Sequence, residues 1–270
     1  MTLLHHRLDG PADGVPLILG PSLGASLAVW EPQLPALARH HRVLRYDLPG
    51  HGGSPTDVLA DPAPGRTTVA ELAAHVLALA DHHGWGGFRY AGISLGGALG
   101  TQLTVHRPGR VDSLALVCSS ARFGEPDGWR ERAALVRAAG TRALLGAAPG
   151  RWFADQATAA TGTGKRLLAD LAAADSAGYA ACCDALGAFD LRAELRRVAA
   201  PTLVVAGSRD PATPPAHARE LAEGIPGASL VEIEGAAHLA GVERSDAVTS
   251  ALLDHWGPAD GRTDEGAVRV

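Results

Sequence analysis

The sequence predicts an α/β protein: a mostly parallel sheet flanked by helices, with a helical cap inserted into it. Three observations carry the prediction. Short apolar runs alternate with helix-like segments through the first 122 residues. The strand signal then disappears between Trp129 and about Leu195, where Ala and Leu recur with helical periodicity. It returns at Pro201-Thr202-Leu203-Val204-Val205-Ala206-Gly207. Strands that alternate with helices pair in parallel. Because strands resume after it, the helical stretch reads as an insertion rather than as a separate helical domain. The expected division is a core of 1–122 and 196–257, a cap of 123–195 and a tail of 258–270.

Each element has a local reason. Thr2–Leu8 reads as an edge strand and Val15–Leu19 as a short buried strand that ends at Gly20-Pro21. Trp30–Arg39 reads as a helix and Arg42–Tyr46 as a strand, closed by a glycine-rich turn from Asp47 to Ser54. Asp47 and those glycines read as structural. Thr68–His82 spaces Val69, Leu72, Val76 and Leu79 along one helix face. Phe88–Ile93 is a strand, followed by a helix to about His106 and a strand at Val111–Cys118. After the cap come a helix at Ala216–Glu223, a strand at Ser229–Ile233 and a helix at Ser245–Trp256.

Composition excludes several classes. A chain of 270 residues can bury a sizeable core. Hydrophobic residues make up 46% and charged residues 20%, as in ordinary soluble proteins. Aromatics are only 4%, so Ala, Leu and Val must fill the core. The net charge of −5 and the lack of a basic block argue against a nucleic-acid partner. No apolar run approaches the roughly 18–20 residues that span a bilayer. The N-terminus lacks the charged-then-apolar pattern of a signal peptide, so the cytoplasm is the expected compartment. Cys118, Cys182 and Cys183 form neither a disulfide framework nor a metal-ligand pattern, and Cys182-Cys183 read as packed small residues on a helix. No metal or organic cofactor is expected.

The chemistry is concentrated at Gly92-Ile93-Ser94-Leu95-Gly96, a G-x-S-x-G pentapeptide between a strand and a helix. That context is the one a strained nucleophile turn requires. Small flanking residues let strand and helix approach closely. The Ser94 hydroxyl would then stand at a helix N-terminus, where free N–H groups and the helix dipole favour an anion.

A serine hydroxyl needs a base, and the base needs an orienting acid. Strand 202–207 runs into Gly207-Ser208-Arg209-Asp210, and strand 229–233 runs into Glu234-Gly235-Ala236-Ala237-His238. The order Ser94, Asp210, His238 is the one expected of an α/β hydrolase. His51, in the glycine-rich turn, is the rival base; His5, His6, His40, His41, His82 and His83 read as surface. Asp184 and Asp190 are the rival acids. Asp210, before Pro-Ala-Thr-Pro-Pro, also suits a turn or helix cap, and both roles can hold together. The oxyanion donors are expected to be the backbone N–H of Leu95 and, from Gly20-Pro21-Ser22-Leu23-Gly24, that of Leu23.

These residues resemble the α/β-hydrolase superfamily over nearly the whole chain. A closer similarity lies in the runs PSLGASLAVWEPQLPALARHHRVLRYDLPGHGGSP, GISLGGALGTQL, WRERAALVRAAG, RWF and GYAACCDALGAFDLRAEL, which resemble bacterial 3-oxoadipate enol-lactonases. The Ser22-Leu23-Gly24 loop, in place of the commoner His-Gly pair, and the cap segments are its more specific parts. The resemblance implies hydrolysis of the enol-lactone to 3-oxoadipate in aromatic-acid catabolism. Ser94 would attack the lactone carbonyl, His238 would take its proton, and an enolate would leave. It further implies an anionic lactone substrate, and hence a cation in the pocket. Arg130, Arg132, Arg137, Arg142 and Arg151 are the candidates. Arg132 is preferred because it lies three residues from Trp129 on one helix face, and Trp152 would wall the pocket. Most of these arginines also fit a solvated helix face. The tail from Gly261 resembles a linker into a carboxymuconolactone decarboxylase, a domain expected fused or encoded nearby, or is an ordinary frayed terminus. Two rival functions stand. One is another esterase, carbon–carbon bond hydrolase or perhydrolase of this fold; the other is a non-catalytic small-molecule receptor on it. The sequence gives no oligomeric state.

Overall fold

The computed structural model of the chain describes residues 2–257. Its strands are β1 (His6–Asp9), β2 (Val15–Gly20), β3 (His41–Tyr46), β4 (Phe88–Ile93), β5 (Val111–Val117), β6 (Thr202–Gly207) and β7 (Ser229–Ile233). They form one sheet in the order β1-β3-β2-β4-β5-β6-β7. Only β1 runs antiparallel to its neighbour. The sheet is therefore mostly parallel, as the alternation of strands and helices predicts. Parallel strands covered on both faces read as continuous apolar runs. β6, Thr-Leu-Val-Val-Ala-Gly, is buried along its whole length.

The helices of the core are α1 (Leu34–Leu37), α2 (Val69–His82), α3 (Leu95–His106), α8 (Pro215–Gly224), α9 (Ala240–Glu243) and α10 (Ser245–Trp256). Between β5 and β6 come α4 (Pro126–Ala139), α5 (Ala148–Trp152), α6 (Gly162–Ala173) and α7 (Ser176–Gly187). α4 packs along α7. α2 starts at Thr68, whose side chain accepts the Glu71 N–H at 3.1 Å, so its first turn is capped.

Three expectations need correction. Trp30–Arg39 is not one helix: a 3-10 turn spans Leu27–Trp30 and α1 covers only Leu34–Leu37. Pro32 and Pro35 explain the break, because proline lacks the N–H and drives its predecessor out of the helical region. The first strand begins at His6 rather than Thr2. The His5 N–H instead donates to Ser54 Oγ at 2.8 Å, and its carbonyl accepts the Asp47 N–H at 2.9 Å. His41 is buried, not a surface histidine: its Nδ1–H donates to the Leu37 carbonyl, and Nε2 accepts from Arg89 at 3.0 Å.

The parallel strands end at one edge, where the site lies. Gly20 pairs with Gly92, so the loops after β2 and β4 leave the sheet at the same level. The turn after β3 is tied by Asp47. Its Oδ1 accepts the Leu27 N–H at 2.6 Å, and its Oδ2 accepts the Gly53 N–H and His5 Nδ1–H at 2.9 and 2.7 Å. All three cysteines are free and buried. No helix among the described residues is long and apolar enough to cross a membrane.

Candidate active site

Ser94 sits between β4 and α3 with φ 55° and ψ −115°. That is a strained setting for a residue with a side chain, and the surroundings enforce it. Its N–H donates to the Val117 carbonyl at 3.0 Å, and its carbonyl accepts Ser119 Oγ–H at 2.8 Å and the Ala98 N–H at 3.0 Å. The flanking glycines are obligatory. A Cβ on Gly92 would lie 2.2 Å from the Gly96 carbonyl carbon, and one on Gly96 would lie 2.4 Å from the Gly20 oxygen. The G-x-S-x-G spacing is thus the spacing at which helix, turn and strand can touch.

The turn after β6 delivers Asp210. Its Oδ1 accepts the Ala212 and Thr213 N–H groups at 2.7 and 3.0 Å, and its Oδ2 accepts Thr213 Oγ1–H at 2.7 Å. It therefore closes a turn and also faces the histidine. His238 Nδ1–H donates to Asp210 Oδ2 at 2.8 Å, with both side chains buried. Nε2 is left free of the carboxylate. Burial raises the Asp210 carboxyl pKa, but the His238 imidazole and the hydrogen bonds outweigh it and hold the carboxyl below its ordinary value. The His238 loop is anchored beside it. Ala237 N–H donates to Glu243 Oε2 at 2.7 Å, and Leu239 N–H donates to the Trp152 carbonyl of α5 at 2.9 Å.

Ser94 and His238 line the same cavity. In this conformation the hydroxyl and the imidazole do not hydrogen-bond each other. Such contacts are often long without substrate and tighten in the reacting complex. The rivals have other partners. Asp184 holds Arg137 at 2.6 Å, Asp190 holds Arg192 at 2.6 Å, and His51 bonds Pro49 and Gly24.

Leu23 lines the cavity, and Leu95 follows Ser94 at the start of α3. Both residues are buried, and neither N–H finds an acceptor among the described residues. Buried unpaired N–H groups are rare in folded proteins. Leu95 directly follows the serine in the chain, and Leu23 shares the cavity with it.

The helical segment between β5 and β6 forms the rest of the wall. Trp129, Arg132 and Trp152 all reach the cavity, and so does Arg151. The Arg132 guanidinium lies 5.2 Å from the Trp129 ring centroid, and Trp129 Nε1–H donates to the Phe123 carbonyl. The remaining arginines do not join them: Arg130 pairs with Asp127, Arg137 with Asp184, and Arg142 is exposed. No carboxylate lines the cavity, and among the described residues neither Arg132 nor Arg151 has an acidic partner. Burial, and then the charge of Arg132, lower the Arg151 pKa from its usual value, yet a guanidinium stays charged in proteins. The pocket therefore holds two guanidinium groups that form no salt bridge among the described residues and has no carboxylate in its lining. Sequence reasoning missed Thr213, which steadies Asp210, and Tyr179, buried on α7 against the cavity. The first was foreshadowed by a hydroxyl three residues after an aspartate; the second had no distinguishing signal.

Among the described residues, no group of three or more His, Cys, Asp or Glu could hold a metal ion. The tail expectation for 258–270 falls outside the described residues.

Comparison with known proteins agrees with the geometry. Residues 15–245 match the model of the alpha/beta hydrolase fold. A 3-oxoadipate enol-lactonase of Acinetobacter baylyi is 35% identical over 92% of this chain and 91% of its own. The crystal structure of the enol-lactonase from Burkholderia xenovorans LB400 superposes with a TM-score of 0.88 at 37% identity, covering 94% of this chain and 96% of that one. RutD of Variovorax paradoxus, provisionally named a carbamate hydrolase, is 33% identical over 93% of this chain and 95% of its own. With the strand order, the serine turn and these matches together, the chain belongs to the α/β hydrolase fold family.

Proposed function

We propose that the chain is a serine hydrolase that opens the ring of 3-oxoadipate enol-lactone to give 3-oxoadipate. One observation carries the reading beyond the family: the pocket shared by Ser94 and His238 also holds Arg132 and Arg151, with no carboxylate in its lining and no salt bridge to either arginine among the described residues. Such a pocket suits a small substrate with a free carboxylate. An arginine–carboxylate pair is charge-assisted and contributes about 1.5–3 kcal/mol. The enol-lactonase relatives act on a substrate of that kind by name.

The steps follow from the groups present. Ser94 Oγ attacks the lactone carbonyl carbon while His238 Nε2 takes the hydroxyl proton. The carbonyl oxygen becomes an oxyanion held by the Leu23 and Leu95 N–H groups. The tetrahedral intermediate collapses, and the ring C–O bond breaks. The leaving enol oxygen takes the proton from His238. Asp210, ionised and bonded to Nδ1, stabilises the imidazolium in between. Water then attacks the acyl-enzyme, with His238 again as base, and releases the acid and the Ser94 hydroxyl. The enol product becomes the ketone. Because the first product stays tethered as part of the same chain of carbons, the pocket must admit the opened acyl group as well as the ring.

The RutD similarity favours a second reading, hydrolysis of a small carbamate by the same serine. The two differ in the leaving group, an enol in one and an amine or ammonia in the other. Turnover of the enol-lactone, a simple aryl ester and a carbamate by the purified chain separates them. A kcat/KM for the lactone well above the others supports the proposal. A preference for short neutral aryl esters, or for the carbamate, overturns it. Absence of multiple turnover on all three would leave a receptor.

A further inference from the structure

The histidine in the glycine-rich turn has a place in this site other than the base. His51 is buried at 2% exposure. Its Nδ1–H donates to the Pro49 carbonyl at 2.9 Å, which leaves a lone pair on Nε2. The Gly24 N–H donates to that lone pair at 3.0 Å. Gly24 belongs to a tight turn in which the Ala25 N–H donates to the Ser22 carbonyl at 3.1 Å. With φ +86° at its third position, this is a type II turn, and its central amide faces the opposite way from that of a type I turn. The N–H of that central amide is Gly24's, and His51 is its acceptor. The preceding amide is that of Leu23, the oxyanion donor.

The other surroundings of His51 point the same way. Its ring stacks on Tyr179 of α7, 5.7 Å between centroids and 26° between planes, and Tyr179 lines the cavity. Burial keeps the imidazole neutral, against the opposing pull of Asp47 and Asp175. One uncharged ring therefore touches the oxyanion loop on one side and the helical wall of the pocket on the other.

We propose that His51 is a positioning residue, a neutral acceptor that fixes the central amide of the Ser22–Ala25 turn and through it aims the Leu23 N–H at the developing oxyanion. This rests on the serine-hydrolase reading of the site. It needs no contact between His51 and substrate. It explains why a histidine, rather than any apolar ring, fills the gap beneath the turn: only an acceptor of this reach satisfies a buried Gly24 N–H.

The test uses the full chain and an aryl ester. His51→Phe keeps an aromatic ring and removes the acceptor; His51→Gln restores an acceptor at similar reach. The expected result for the Phe variant is a kcat lower by about 10- to 100-fold, below the range for outright loss of an oxyanion donor. KM should stay within about threefold, and affinity for a phenylboronic acid, which forms a tetrahedral anion on Ser94, should fall in step with kcat. The Gln variant should recover most of both. Unchanged kcat and boronate affinity in the Phe variant overturn the proposal. So does a loss shared equally by KM, kcat and thermal stability with no selective loss of the boronate, which marks a merely structural ring. A measurement on the unaltered chain does not depend on any variant folding: in NMR spectra, boronate binding should shift the Leu23 and Gly24 amides together. Movement of Leu23 with Gly24 unmoved overturns it. Failure of the serine-hydrolase reading itself appears differently, as an unaltered chain that turns over no ester.

Discussion

The edge of the sheet and the helices above it build the two halves of one cavity by different means. At the edge, each functional group is fixed by backbone. Ser94 is held in a strained turn by bonds to Val117, Ser119 and Ala98, and Asp210 is tied into its own turn by two amides. In the helical segment, Arg132, Arg151, Trp129 and Trp152 reach the cavity because of which helix face turns inward, and the two arginines have no acidic partner. The comparison teaches a division of labour. The edge holds its groups by turn hydrogen bonds, whereas the helices bring charged and aromatic side chains to the same cavity. Changes at the edge should therefore act on kcat, and changes in the helices on KM and on the choice of substrate.

The division can be broken or sharpened by experiment. The largest effect expected is that of Ser94→Ala, which should cut kcat by about 10⁵- to 10⁶-fold while leaving the fold intact. Asp210→Asn should follow at about 10³- to 10⁴-fold, because it lets His238 adopt the wrong tautomer. Steady-state kinetics and a thermal melt check both, and residual turnover near that of the unaltered chain would remove these residues from the chemistry.

Next in size is the charge in the helices. Arg132→Gln and Arg151→Gln should each raise KM for a carboxylated substrate by about 10- to 100-fold, corresponding to about 1.5–3 kcal/mol, with neutral esters little affected. If both variants weaken neutral and anionic substrates alike, the arginines act in folding rather than in selection.

A third prediction concerns stability alone. Gly92→Ala places a methyl 2.2 Å from backbone at Gly96. It should lower the unfolding free energy by about 1–3 kcal/mol or more. Denaturant titration measures this; an unshifted midpoint would mean that strand and helix can part at no cost, against the geometry of the elbow.

The smallest effect is spread over several histidines. Burial lowers the pKa of His41, His51, His75 and His255 below the ordinary value. The unfolded chain binds protons at these groups first, near pH about 6.5, so stability should decline as pH falls below that point. Asp210 adds a further loss only at lower pH, as its depressed carboxyl pKa is passed. Melting temperatures from pH 8 to 5 should trace this decline. A flat profile would show these histidines are not buried neutral.

The fold, and the meeting of Asp210 with His238 beside the cavity that Ser94 lines, were legible in the residues. Ser229–Ile233 and Ser245–Trp256 are observed with the bounds their periodicity predicts, and Thr68 caps the helix that its apolar spacing marks out. Asp210 and His238 follow two strand ends, and parallel strands bring their ends together whatever lies between them. The errors have local causes: prolines broke the helix near Trp30, and contacts with Ser54 and Asp47 drew residues before His6 away from the sheet. The arginines that reach the cavity were harder. Five arginines share the helical segment, and spacing singled out Arg132 without separating Arg151 from Arg142, one of which reaches the cavity while the other is exposed.

By itself the sequence determined the strand–helix order, the serine turn and the chain order of the serine, acid and histidine, because these follow from backbone sterics and from hydrophobic periodicity over short distances. Only the tertiary structure decided which arginines lack a salt bridge, that Thr213 bonds Asp210, and that His51 accepts the Gly24 N–H. Those outcomes depend on how helices rotate and pack on a sheet built from residues far away in the chain. Side-chain partnerships of that kind are settled by three-dimensional proximity, which no local pattern encodes.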